Sequence, residues 1–440
     1  MKTLASDSSA PSEGGKIRNV AIAGFGTVGS SVARILSQRV HSGIRLTHVY
    51  NRSESRKRAD WLPSSVRWTN NIDDILSSSE IDILVEVIGG LDPAGTWIRS
   101  ALSSGKSVVT ANKQLIAHHG SSLIDLAVSM NCCIAFGASV AGGIPVIYGL
   151  QEGLAGDELF KIYGILNGTC NYILSEIESA GTSFSGALAQ AQKLGYAEQD
   201  PTDDVDGLDA RAKLAILSRV GLNSEVVPDA IACHSIRPIE TIDFDYARYL
   251  GCTIRQISWA ELDGNRLFAT VGPALVGQSS PLARVQGSQN LVMSTGRFGG
   301  ETVFAGHGAG GNPTAVAIVS DIIAIAGSKT RDNHLGENRL SRPPVTTDFT
   351  ARHYLRFKVK DRPGIIASLS SILARRNINI DSVLQKPGYS KSDLPFVISL
   401  EACKFSEVQN AMREMEKLDF LIQPCLHLPV LEQTRSTGAM

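Results

Sequence analysis

The sequence predicts an α/β protein built from three units, and three observations carry that prediction. A strand, glycine turn and helix open the chain at Ile17 and begin a strand–helix alternation; a mixed stretch follows in which the alternation stops; a β-α-β-β-α-β pattern closes it. IRNVAIAG reads as the first strand, GFGTVG as the turn, and SSVARILSQRV as a helix with Val32, Ile35 and Leu36 at helical spacing. RLTHVY, a helix near 71–79, the apolar IDILVEV and the strand-like SVVTANK and CCIAFGAS continue the alternation, so 17–150 form a doubly wound, Rossmann-type domain. Residues 151–327 form an α+β unit for substrate binding and dimerisation. It has helices near 171–180, 185–194 and 207–220, strands near 254–261 and 266–276 joined through Asp263-Gly264-Asn265, and strands near 290–296 and 301–305. Its last helix, from Pro313 to Ala326, has the option of returning to the first domain. SKTRDNHLGENRLSRPPV heads a polar linker over 328–350, and 351–430 hold the third unit. The ends, 1–16 and 431–440, read as tails, the first disordered.

The whole-chain balance excludes several functions. With 42 basic against 43 acidic residues, no net field points to nucleic acid or an anionic membrane. The 7 cysteines are scattered without a CxxC pair, which fits a reducing cytoplasm better than a disulfide framework or zinc site. No apolar run approaches the ~20 residues of a membrane span, and the N-terminus lacks a signal-peptide core.

Gly24, Gly26 and Gly29, with Thr27 and Val28 between, form G-x-G-x-x-G between strand and helix. There the backbone turns tightly and lets a dinucleotide pyrophosphate reach the helix amides. The second strand ends Tyr50-Asn51 without the acidic residue that would hold a ribose hydroxyl; Arg52, Ser53, Arg56, Lys57 and Arg58 follow. A cationic cluster suits the 2'-phosphate of NADP, with NAD as the alternative cofactor; a solvated basic loop is the plainer reading.

AEQDPTDDVDGLDARAK, 197–213, crowds six carboxylates before Arg211 and Lys213. A calcium loop is ruled out by register: with Gly207 sixth, Thr202 stands first and Lys213 occupies the closing position. Asp209 and Lys213 are four apart and share a helix face. That spacing fits a surface ion pair, and it equally fits a lysine that protonates a carbonyl oxygen beside a carboxylate that holds an ammonium.

Taken together, GFGTVG, VEVIGG, TANK at 110–113, ASVAGGIP, ILNGTCNYIL, GYAEQDPTDD, GLDARAKLAIL and GHGAGGNPTA resemble homoserine dehydrogenases over about 17–430. The resemblance implies NAD(P)-dependent interconversion of L-aspartate 4-semialdehyde and L-homoserine, with Lys213 as proton donor or acceptor and Lys113 beside it. It implies that Glu198, Asp204 and Asp209 surround the substrate's polar end, Glu198 and Asp209 taking the ammonium. Gly195, Asn167, Gly168 and Thr169 would line the cleft; Asn51, Thr110, Lys113, Gly308 and Gly310 would meet the cofactor. It further implies a monovalent cation, Na+ or K+, on the backbone of Val140, Gly142 and Ile144, although Gly137 stands where relatives carry glutamate. Cys170 in NGTC is either a packing change or a redox-sensitive thiol. VKDRPGIIASLSSILARRNINIDSV resembles an ACT domain, whose turn at Asp361, Gly364 and Ile365 would offer helix amides to threonine as feedback effector. A homodimer or homotetramer is the implied assembly; a structural role is the alternative for the ACT unit.

Overall fold

The computed structural model describes residues 17–39, 43–53, 59–327 and 340–431. The first sheet is parallel: β1 (Arg18–Ala23), β2 (Ile44–Tyr50), β3 (Arg67–Thr69), β4 (Ile83–Glu86), β5 (Ser107–Thr110) and β6 (Ile134–Ala135) lie in the order β3-β2-β1-β4-β5-β6. That is the doubly wound order, with its switch between β1 and β4. All four residues of β4 are buried, as a strand covered by helices on both faces requires. The helix Gly311–Gly327 covers one face although it lies far along the chain. Its Ala315, Ile318, Val319, Ile322 and Ile325 share a core with Val20, Ile22, Val85 and Val109. A Cβ on Gly311 would stand 2.8 Å from Thr27 Cγ2, so a glycine is needed where this helix meets Thr27–Gln38.

The second sheet runs through both remaining units. β7 (Leu159–Ile165), β8 (Ala232–Cys233), β9 (Cys252–Asp263), β10 (Arg266–Gly277), β11 (Gln289–Gly296), β12 (Gly300–His307) and β13 (Val345–Thr346) belong to it. So do β14 (Thr350–Val359), β15 (Ile380–Leu384), β16 (Leu394–Lys404) and β17 (Leu426–Leu431), in the order β12-β11-β7-β9-β10-β17-β14-β16-β15. The C-terminal unit is joined on by parallel pairing of Leu275 with Val430 and Val276 with Leu431. A buried Arg356 on β14 lies 2.8 Å from Asp243 and 2.8 Å from Glu240, both at the start of the helix Thr241–Tyr249.

The architecture is the expected α/β class, with local differences. The stretch expected to link the last two units is partly structured: Val345–Thr346 pairs with β10 and Ser341 bridges Ser224, while 328–339 lie outside the described residues. CCIAFGAS yields only the two residues of β6 and then a short 3-10 turn over Gly137–Ser139, because Gly137 and Pro145 bound a segment that must bend. β7 and Thr241–Tyr249 escape sequence reading. In the latter Ile242, Phe244 and Tyr246 alternate like a strand, yet the reciprocal hydrogen bonds of Glu240 and Asp243 cap a helix there.

Candidate active site

Two lysines from different elements converge on one carboxylate. Lys213 and Asp209 stand one turn apart on the helix Leu208–Leu222, and Lys113 opens the helix Lys113–Ser129. Lys113 Nζ lies 2.9 Å from Asp209 Oδ1, and Lys213 Nζ lies 2.7 Å from Asp209 Oδ2. Asp209 is 7 % exposed. Burial alone would raise its carboxyl; the ammonium groups of Lys213 and then Lys113 outweigh burial and hold it well below the usual carboxylate range. In return the Asp209 charge raises Lys113.

Asn167 builds the third side. It ends the loop after β7, and its Oδ1 accepts from Cys170 N at 2.8 Å to cap the helix Gly168–Ala180. Its Nδ2 donates to Asp204 Oδ1 at 2.6 Å and Asp209 Oδ2 at 2.9 Å. Burial raises the Asp204 carboxyl against the opposing Asn167 hydrogen bond. The Leu166 carbonyl accepts from Lys213 Nζ at 2.8 Å, a backbone contact that no side-chain pattern announces. An ammonium has three N–H groups. Lys213 gives two to Asp209 and Leu166 and keeps the third; Lys113, 37 % exposed, keeps two.

The remaining expected site residues divide. Thr169 donates to Tyr196 O at 2.6 Å and Gly195 adopts φ +78°, shaping the loop before Glu198. Glu198 itself is exposed, and its carboxylate meets no partner among the described residues. Asp209 was expected to receive a substrate ammonium, but both its oxygens are already taken by lysines and Asn167. Cys170 is buried, donates to Asp204 O at 3.1 Å, and is raised well above an ordinary thiol by burial and then by the nearby carboxylates, so it is a packed, unreactive side chain. Asp200 closes a local turn on Thr202, and Asp206 accepts from Ser235 and Arg237.

The glycine turn adjoins the lysines through one loop. Gly24 has φ +110°, and a Cβ on Gly29 would lie 1.9 Å from the Gly24 carbonyl, whereas one on Gly26 would meet nothing within 4 Å. Two glycines therefore serve the turn, and the third leaves open the space in front of the helix that starts at Thr27, beside Val28. That is a cradle a dinucleotide pyrophosphate fits. Val87 packs on this turn; the following Gly90 carbonyl accepts from Asn112 Nδ2 at 2.6 Å, and Asn112 Oδ1 caps the helix that carries Lys113. Buried Glu86 fixes the loop by accepting from Ile88 N, Gly89 N and the Thr110 hydroxyl at 2.8, 3.0 and 2.6 Å. Glu86 and Asn112 were not singled out in the sequence; VEVIGG and TANK contain them without saying that they meet. Gly308 and Gly310 approach the same turn from the second unit, since Gly311 touches Thr27. Asn51 Oδ1 accepts from Ser53 N at 2.9 Å beside Arg52, while Arg56 and Lys57 lie outside the described residues.

Gly137 N donates to Asp321 Oδ2 at 2.9 Å, and the Asp321 carboxylate fills the space a side chain at 137 would use. The Ile144 carbonyl accepts from Val146 N at 2.7 Å, and Gly142 abuts Thr314. Among the described residues no three His, Cys, Asp or Glu side chains gather as metal ligands. No helix among them is long and apolar enough to cross a membrane.

Comparison with known proteins follows the same division of the chain. Residues 24–137 match the family described as homoserine dehydrogenase, NAD binding domain; 145–323 match homoserine dehydrogenase; 353–420 match the ACT domain. A homoserine dehydrogenase of Bacillus subtilis is 34 % identical over 416 residues, 91 % of this chain and 96 % of that protein. The crystal structure of a homoserine dehydrogenase from Thiobacillus denitrificans superposes with a TM-score of 0.88 at 33 % identity, covering 95 % of this chain and 99 % of that one. A hyperthermophilic archaeal homoserine dehydrogenase in complex with NADPH gives 0.60 at 27 % identity, over 70 % of this chain and 97 % of its own.

Proposed function

The chain belongs to the homoserine dehydrogenase family, and on that premise we propose how its own residues run the reversible reduction of L-aspartate 4-semialdehyde to L-homoserine. The observation that carries the reading is the pair of ammonium groups held on one buried carboxylate beside the glycine turn. When bound, the nicotinamide cofactor supplies the hydride that adds to the aldehyde carbon. Gly24, Gly26 and Gly29 leave room for its pyrophosphate, Thr110 and the Gly308–Gly310 loop border it, and Arg52 with the Arg56 and Lys57 that follow meets a 2'-phosphate. NADP is therefore the preferred cofactor over NAD, a reading supported by the NADPH complex of the archaeal relative.

Lys213 gives its uncommitted proton to the oxygen as the aldehyde becomes an alkoxide, leaving the primary alcohol; in the reverse direction it takes that proton back. Lys113 stands on the other side of Asp209 and steadies the same oxygen. Asp209 acts on the lysines, keeping both charged and aimed, while Glu198 and the free oxygen of Asp204 take the substrate ammonium and Gly195, Gly168 and Thr169 close the cleft around it. The Na+ or K+ expected at Val140, Gly142 and Ile144 has no part in this scheme: Gly137 brings no ligand, and Ile144 O is already hydrogen-bonded.

Threonine is the proposed feedback effector of the ACT domain. Gly364, at φ +92°, starts the helix Ile365–Arg375 without a side-chain cap, which leaves amides beside Asp361 for a carboxylate. The assembly is a homodimer or homotetramer, supported by the edge strand β12, where Val303 is 44 % exposed beside Phe298 at 79 %. The cytoplasm is the proposed location, on the scattered cysteine usage. The test is oxidation of L-homoserine by the purified full chain with NADP and with NAD, each with and without threonine. Turnover of another amino acid but not homoserine would sink the substrate; a higher kcat/KM with NAD would sink the cofactor; indifference to threonine would sink the effector.

A further inference from the structure

A cavity of about 650 Å³ lies between β8–β10 and the ACT unit, away from both the lysine cleft and the Asp361 turn. Small-molecule sites occupy about 300–1,000 Å³. Its apolar wall is aromatic: the rings of Phe349 and Phe405 stack at 5.2 Å, Trp259 meets Phe349 at 5.3 Å, and Met412 adds a flexible thioether. Two polar groups in the wall are not used up by the protein. The His234 ring is open to water and has no hydrogen-bond partner among the described residues. Arg237 gives Nε to Asp206 at 3.1 Å, and its two terminal nitrogens meet nothing among the described residues. His427, also in the wall, is different, with Gln409 and His353 at 3.0 and 2.9 Å on its two nitrogens. The charged lining is Arg237 and Arg356 against Glu240, two positive to one negative.

The floor of this cavity is tied to the lysine cleft. Ile236 N and the Ser235 hydroxyl donate to Val205 O at 3.1 and 3.3 Å; Ser235 also donates to Asp206 Oδ1 at 2.6 Å, and Cys233 Sγ lies 3.6 Å from Gly207 O. Residues 205–207 are the chain between Asp204 and Asp209. An anion that draws Arg237 away from Asp206 would pull on that chain.

We propose that this cavity is a second ligand site, taking a small carboxylate with an aromatic or branched apolar body, and that its occupant acts on the lysine cleft through the bonds between 233–237 and 205–207. The guanidinium fork of Arg237 matches a carboxylate, His234 supplies a further donor, and the aromatic wall takes the apolar body. The inference does not depend on homoserine as substrate, because binding is read without turnover.

The probe is 3-phenylpropionate, titrated calorimetrically into the full chain, with 3-phenylpropan-1-ol as the uncharged control. One site per chain is expected, with the alcohol and the Arg237→Ala variant each weaker by at least about tenfold. Met412→Trp, which fills the cavity, should abolish binding, and Asp361→Ala should leave it intact. At saturation the KM or kcat of the dehydrogenase reaction should shift at least about twofold in the parent and not in Arg237→Ala. Absence of saturable heat in the parent, or binding unaltered by both Arg237→Ala and Met412→Trp, would overturn the site. Saturation with unchanged KM and kcat would overturn the link to the cleft.

Discussion

Replacing Asp209 by asparagine keeps the shape of the side chain and removes the charge that organises the cleft. Its two oxygens take hydrogen bonds from Lys113 at 2.9 Å, Lys213 at 2.7 Å and Asn167 at 2.9 Å. The new amide can accept through one atom only, so at least one ammonium or the Asn167 amide faces another donor. A hydrogen bond to a charged group contributes about 1.5–3 kcal/mol, so two lost ammonium contacts amount to about 3–6 kcal/mol. Lys113 is more than one third exposed and regains water, which brings the loss toward the lower end. About 3 kcal/mol of lost transition-state stabilisation is a fall on the order of 10² in kcat/KM for homoserine. The pH profile gives an independent reading. Asp209 raises the Lys113 pKa, so its neutralisation lowers that pKa, and the alkaline limb of kcat/KM moves to lower pH by about 1 unit, the smaller end of the usual effect of a neighbouring opposite charge. Asp209→Asn with kcat/KM within threefold of the parent and an unmoved alkaline limb would refute the reasoning.

The glycine turn predicts a contrast. Gly26→Ala, pointing into open space, should leave the melting temperature near the parent's and weaken NADPH binding, read by the quenching or shift of its fluorescence; Gly29→Ala, only 1.9 Å from a carbonyl, should lower the melting temperature as well. Equal effects on both quantities in the two variants would count against the assignment. The His427–His353 pair gives a pH dependence. Gln409 donates to one end and the Cys403 carbonyl accepts at the other, so the chain is satisfied with both rings neutral, and burial lowers both pKa values. The unfolded chain takes up protons near pH 6.5 while the folded one does not, so stability present above that pH is lost below it, by up to about 2–3 kcal/mol between pH 7.5 and 5.5. His427→Gln should show a smaller drop in melting temperature over that interval, and a drop equal to the parent's would contradict the neutral chain.

What could be read in the sequence is what local chemistry forces. The turn at Gly24 and the helical pairing of Asp209 with Lys213 follow from residues a few positions apart, so both were legible. That Lys113 shares Asp209 was legible only through resemblance, because the two helices meet through the packing of the whole cleft. The Leu166 carbonyl is a backbone group that no residue type marks, and the engagement of both Asp209 oxygens depends on a lysine distant in sequence. The helix Thr241–Tyr249 was hidden by an alternation that suits a strand and was decided by its cap. Pairing of β17 with β10, which makes the ACT unit an extension of the second sheet, leaves no local signature at all.

The account turns on Lys213 as the group that exchanges the proton with substrate oxygen. Steady-state oxidation of L-homoserine by Lys213→Met at saturating NADP tests this most directly. A fall in kcat of about 10²–10⁴ is predicted, with the KM for NADP and the melting temperature close to the parent's. Turnover of homoserine by Lys213→Met at the parent rate would contradict it.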